Sequence, residues 1–264
     1  MIQSKEQPIG MFDSGVGGTS VFNEVHKLLP RENIIYLADS KNAPYGNRGY
    51  DAIIELCKKN TELLLQKHCK LIVVPCNTAT TIALDYLRKI YPVPFIGIEP
   101  AIKPAALNSK AKTIGIMATK GTLSSKLFNK TSDLFARNIE VIEIIGNGLV
   151  ERIEAGQHNT KETQVFLTKL LQPMLEKEID YLVLGCSHYP YLIPLLKKIL
   201  PAHVRIIDSG KAVAQQVKNI LQRENLINSQ RESVQTFFSN IKKTEVLNAL
   251  IQTSASSSVK YLDF

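Results

Sequence analysis

Hydrophobic positions in this chain fall into short, near-continuous runs of four to six residues. Examples are "IGMF" at 9–12, "IIYLA" at 34–38, "LIVVP" at 71–75, "GIMA" at 115–118 and "LVLG" at 182–185. Such runs, rather than an alternating pattern, mark strands buried on both faces of a parallel sheet. Between them lie stretches with apolar residues at helical spacing, at 19–29, 51–67, 78–90, 162–176 and 190–199. Strand alternating with helix predicts an α/β fold with right-handed crossovers.

The pattern also repeats at long range. "PIGMFDSG" at 8–15 is echoed by "TIGIMATK" at 113–120, and "IIYLAD" at 34–39 by "EVIEII" at 140–145. "LIVVPCNTAT" at 71–80 is echoed by "YLVLGCSHYP" at 181–190, and "FIGIEP" at 95–100 by "RIIDSG" at 205–210. The pairs keep one order at nearly constant offset, which predicts two doubly wound parallel-sheet halves built alike. The expected division is 1–98 plus 208–264 for the first domain and 99–207 for the second. The tail adds a helix ("AVAQQVKNILQRE"), a strand ("SVQTFFS"), another helix and a terminal "VKYLDF", expected to pack back on the first half. "TSASSS" at 253–258 reads as a short loop.

In open α/β sheets, ligands bind beyond the carboxyl ends of the strands. The notable polar residues stand there: Asp13-Ser14-Gly15, Asp39, Cys76-Asn77-Thr78, Glu99, Thr119, Cys186-Ser187-His188 and Asp208-Ser209-Gly210. Two facing halves would bring Cys76 and Cys186 to opposite walls of one cleft between the domains. Each thiol precedes a helical pattern, with Asn77 or Ser187 placed to cap it. A helix N-terminus is expected to lower the thiol pKa from about 8.5 toward neutrality. A cysteine among small residues after a strand can also be merely packed; its duplication favours chemistry. Two like bases on opposite walls suit a racemase, one taking a proton from one face of a stereocentre and the other supplying the opposite face. Asp13 and His188 are the candidate tuners, although His188 is so near Cys186 in sequence that its side chain need not reach it.

Composition narrows the class. With 44% hydrophobic and 21% charged residues the chain is a soluble globular protein, and no run reaches the roughly 20 apolar residues that span a bilayer. The start has no apolar core of a secretory signal, so the cytoplasm is expected. The net charge of +8 comes from scattered lysines and arginines without aromatic interleaving, which argues against nucleic acid. The four cysteines, at 57, 69, 76 and 186, form no CxxC. Cys69 and Cys76 bracket a strand about 23 Å long, too far for a disulfide or shared metal. Cys57 reads as core. "DSGVGGTS" at 13–20 lacks the last glycine of GxGxxG and reads as a tight turn offering N–H groups to a small anion.

The motifs "IGMFDSGVGG", "YLADSKNAPYG", "VVPCNTA", "FIGIEP" and "VLGCSHYP", in this order, resemble the glutamate racemase family. The likeness covers essentially the whole chain. It implies interconversion of L- and D-glutamate for peptidoglycan, with no cofactor and no metal, and an α/β fold of two doubly wound parallel-sheet domains related by pseudo-twofold symmetry, with the active site in the cleft between them. It also implies that Cys76 takes the α-proton of D-glutamate, assisted by Asp13. Cys186 takes that of L-glutamate, assisted by His188 and an acidic residue matching Glu154, with Glu151 a nearby rival. Asp13, Ser14, Tyr45, Gly46, Asn77, Thr78, Ser187 and His188 match substrate-binding positions, and Thr119 and Thr122 add contacts to a carboxylate. Ser187 replaces the usual threonine but keeps the hydroxyl. The expected partner is the small-molecule substrate, without nucleic acid or membrane, in a family that often forms homodimers. The rival readings are an aspartate racemase on the same scaffold, a bilobal amino-acid binder and a redox dithiol enzyme.

Overall fold

The computed structural model describes residues 4–253 and 256–264. Ten strands build two parallel sheets: β1 Ile9–Asp13, β2 Ile34–Ala38, β3 Leu71–Val74, β4 Phe95–Gly97, β5 Thr113–Ala118, β6 Glu140–Ile145, β7 Tyr181–Gly185, β8 Arg205–Ile207, β9 Val234–Ser239 and β10 Ser256–Tyr261. The first sheet has the order β10-β9-β2-β1-β3-β4 and the second β6-β5-β7-β8. Stripped of the tail strands, both read second-first-third-fourth in their own half. The repeat seen in the sequence is therefore a repeat of topology.

Burial explains the unbroken apolar runs. Alternate residues of one strand feed different cores. Ile9 and Met11 of β1, and Leu71 and Val73 of β3, enter a cluster that continues into Leu182 and Leu184 of β7. Phe12, Ile72 and Val74 face a second cluster that includes Ile53, Cys57 and Leu64 of the helix Tyr50–Gln66. Ile114, Ile116 and Val183 face a third, with Phe128. Cys57 is the core residue expected, and burial pushes its thiol up, as it pushes Cys69 up to about 12.

The tail docks on the first half. β9 pairs with β2 and with β10, and the helix Gly210–Arg223 packs on the helix Thr19–Leu28. Its second-half counterpart, β6, stays an edge strand whose Glu140 and Glu143 are exposed, and charge of that kind discourages further pairing.

Two local expectations change. The helix expected over 162–176 is two, Lys161–Leu170 and Gln172–Glu176. Pro173 lacks an N–H and its ring clashes with the preceding turn, so it starts a helix rather than continuing one. In the "TSASSS" loop, residues 254–255 lie outside the described residues, and Ser256–Ser258 belong to β10 rather than to a loop. Among the described residues no helix is long and apolar enough to cross a membrane.

Candidate active site

Each half has its topological switch point between its first and third strands, where successive crossovers run in opposite directions. Asp13 ends β1 and Cys76 follows β3; Thr119 follows β5 and Cys186 follows β7. The four come together. One small pocket, about 240 Å³ of unfilled space, is lined by Ser14, Tyr45, Gly46, Cys76, Asn77, Thr78, Thr119, Cys186, Ser187 and His188, with Pro44 and Val150. Glu99 and Asp208 follow the outer strands β4 and β8, away from the switch points. Both are exposed, and Asp208 caps its own turn by accepting from the Gly210 N–H at 2.7 Å.

Asp13 lies fully buried under this pocket. Its Oδ2 accepts from the N–H groups of Gly15 and Gly18, both at 3.1 Å, and its Oδ1 from the Ser187 hydroxyl at 3.1 Å. Burial raises its pKa, against the opposing pull of His188. The "DSGVGG" turn does offer N–H groups to an anion, but the anions are the protein's own carboxylates: Val16 N–H donates to Glu154 Oε1 at 2.7 Å. The glycines serve close approach. A Cβ on Gly15 would overlap the Glu154 carboxylate, and one on Gly17 the His188 ring.

Cys76 is itself the N-cap of the helix Asn77–Ile90, its Sγ accepting from Ala79 N–H at 3.5 Å. The sequence predicts Asn77 as the cap, and it is not: its Nδ2 turns to the Ile98 carbonyl at 3.5 Å, and its Oδ1 is buried without a partner. Nor is the thiol acidified in this state. Burial and then the charge of Asp13 hold the Cys76 pKa well above its ordinary value, outweighing the Ala79 N–H. The helix terminus favours the thiolate as the sequence predicts, but desolvation opposes it and wins.

The other wall differs. A short 3-10 turn, Tyr189–Leu192, follows Cys186, so Ser187 caps no α-helix and instead donates across the cleft to Asp13. His188 reaches its neighbour after all: Nδ1 lies 3.8 Å from Cys186 Sγ, and Nε2 lies 2.6 Å from Glu154 Oε1. Burial alone would lower the His188 pKa, but its hydrogen bonds to Cys186 and Glu154, and their charges, raise it well above the ordinary value. Glu154, on the helix Leu149–Glu154, is the carboxylate on His188, while Glu151 is exposed beside a neighbouring groove.

Thr119 Oγ1 sits 2.9 Å from Thr78 Oγ1 and 3.0 Å from Thr122 Oγ1. Thr119 lines the pocket; Thr122 is buried behind it. Sequence reasoning missed two parts. Ser40 donates to Glu154 Oε2 at 3.1 Å, and its place just after β2 was the available signal. Val150 lines the pocket as an apolar residue that carried none.

A family model described as Asp/Glu/Hydantoin racemase matches residues 9–217. The chain belongs to that family. It is 44% identical over 232 residues to a glutamate racemase of Stutzerimonas stutzeri, covering 88% of each chain. It is 40% identical over 262 residues to a glutamate racemase of Pseudomonas paraeruginosa, covering 98% of this chain and 99% of that one. Among solved structures, the Escherichia coli glutamate racemase in complex with L-glutamate and the activator UDP-MurNAc-Ala matches with a TM-score of 0.86 at 31% identity. That match covers 97% of this chain and 98% of the other.

Proposed function

We propose that this chain interconverts L- and D-glutamate by removing the α-proton with one thiol and delivering a proton from the other to the opposite face, and so supplies D-glutamate for peptidoglycan. The observation that carries the proposal is the placement of Cys76 and Cys186. They follow equivalent strands of two like halves and line one pocket. Cys76 takes the proton of D-glutamate and Cys186 that of L-glutamate, and in each direction the other thiol supplies a proton to the opposite face.

The two thiols have different helpers. Asp13, a buried carboxylate with a raised pKa, is the base that receives the Cys76 proton. Its charge, after burial, raises the Cys76 pKa, so protonating Asp13 removes the repulsion between the two anions while the burial cost of the thiolate remains. His188, held by Glu154, exchanges the proton of Cys186. Ser14, Asn77, Thr78, Ser187 and the Tyr45–Gly46 segment hold the substrate's carboxylates and ammonium. The unpartnered Oδ1 of Asn77 suits an ammonium donor.

The division into 1–98 with 208–264 and 99–207 belongs to the same proposal. It is supported by strand membership, β1–β4 with β9 and β10 against β5–β8. Residence in the cytoplasm, where thiols stay reduced, fits four free cysteines.

The test is circular dichroism of purified protein with D-glutamate and then L-glutamate, without added cofactor. Decay of the signal to zero from both sides is expected. A constant signal with glutamate, or decay only with aspartate, would overturn the proposal.

A further inference from the structure

We propose that Asn240, in the tail beyond β9, is a positioning residue for the substrate, acting through Asp39 on the Tyr45–Gly46 wall of the pocket. The inference rests on the racemase reading above. Asn240 lies past residue 217, where the family-model match ends.

Asp39 is 1% exposed, and the side chains that donate to its carboxylate, Asn42, Tyr45 and Asn240, are neutral. Its Oδ1 accepts from Asn240 Nδ2 at 2.5 Å and from Asn42 Nδ2 at 2.8 Å. Its Oδ2 accepts from the Tyr45 hydroxyl at 2.5 Å. A buried carboxylate depends on such donors, because each replaces water it has lost. Asn240 is itself fixed. Its Oδ1 accepts from Lys41 N–H at 2.9 Å, its N–H donates to the Ala38 carbonyl at 3.4 Å, and its Nδ2 also reaches the Phe264 carbonyl at 3.3 Å. The tail therefore grips the segment 38–45 at three points.

The consequence falls on Tyr45. Its hydroxyl donates to Asp39 and accepts from Asn60 Nδ2 at 3.1 Å, so it is turned into the protein. Its place on the pocket wall is set by that anchor. Gly46 follows directly and fits closely on the other half: a Cβ there would lie 3.0 Å from Thr119 Cβ. Displacing the Tyr45–Gly46 end of the segment shifts the wall against which the substrate is held; neither thiol lies on the segment, and its links to the helpers are the Ser40 hydroxyl on Glu154 Oε2 and the Asp39 N–H on the Asp13 carbonyl. Asn240 should thus act chiefly on substrate binding rather than on proton transfer.

The experiment measures KM and kcat of Asn240→Ala in both directions, with melting temperature alongside. KM should rise on the order of ten-fold, the worth of one hydrogen bond to a charged group, with kcat within about two-fold of wild type. The resulting fall in kcat/KM must be equal in both directions, because enantiomers have equal free energy. In a Tyr45→Phe background, which already detaches the wall from Asp39, Asn240→Ala should raise KM little further. Should Asn240→Ala not fold, Asn240→Leu fills a similar volume, lacks the amide donors and sets no second carboxylate against Asp39, and the same KM rise is expected. An unchanged KM with a lowered melting temperature, or full additivity with Tyr45→Phe, would overturn the inference. A wild-type protein that does not turn over glutamate would instead overturn the racemase reading.

Discussion

Glu154 Oε1 accepts two hydrogen bonds at once, from His188 Nε2 at 2.6 Å and from Val16 N–H at 2.7 Å. One carboxylate oxygen thereby orients the imidazole beside Cys186 and ties it to the glycine turn of the first half. In the proposed mechanism Glu154 acts on Cys186 through His188, as a positioning residue.

Replacing Glu154 by Gln should lower kcat/KM by about ten- to a hundred-fold, the worth of a hydrogen bond to a charged group. The loss must be equal in both directions, because the equilibrium constant is one. Stability carries a pH signature. His188 has a raised native pKa, so the native state binds a proton more tightly than the unfolded chain. That stabilisation is complete below the unfolded pKa of about 6.5 and is lost as pH rises through the native value. The melting-temperature gap between wild type and Glu154→Gln should be widest near pH 6 and narrow on the alkaline side. A gap independent of pH would contradict it.

The glycine turn makes a separate demand. Gly17→Ala places a methyl group on the His188 ring, and overpacking of this kind costs about 1–3 kcal/mol. Activity should fall with it. Gly49, with nothing within 4 Å of a built Cβ, is the control, and Gly49→Ala should stay within about 0.5 kcal/mol of wild type. Denaturant unfolding of the two variants checks the contrast; equal stabilities would show that the turn can yield.

Away from the pocket, Lys70 Nζ donates to Glu32 Oε2 at 2.7 Å and to the carbonyls of Lys5 and Leu226, with both side chains essentially unexposed. Lys70→Met strands the Glu32 charge and should cost about 3–5 kcal/mol, a drop of roughly 10 °C in melting temperature. KM in the folded variant should not move. A melting temperature within two degrees of wild type would mean that water reaches Glu32.

Much of this was legible in the chain because the two halves repeat their strand ends. Cys76 and Cys186 could be placed on one pocket from the repeat and the strand-end rule alone. What the chain hid were contacts between distant segments. No local pattern tells that Gly15 and Gly17 make room for Glu154 and His188, or that Asn240 caps Asp39 across 201 positions. The sign of the Cys76 shift was also hidden, because it depends on how completely the folded pocket excludes water.

The central claim is that Cys76 and Cys186 serve opposite faces of one α-carbon. Solvent-deuterium incorporation in D₂O, read by mass spectrometry after the enantiomers are separated, tests it directly. Wild type should place label at the α-carbon of the inverted product. Cys76→Ala should exchange deuterium into L-glutamate alone, and Cys186→Ala into D-glutamate alone, with racemisation in each reduced by about 10²-fold or more. Racemisation at the wild-type rate in either variant, or label entering both enantiomers, would contradict the two-thiol account.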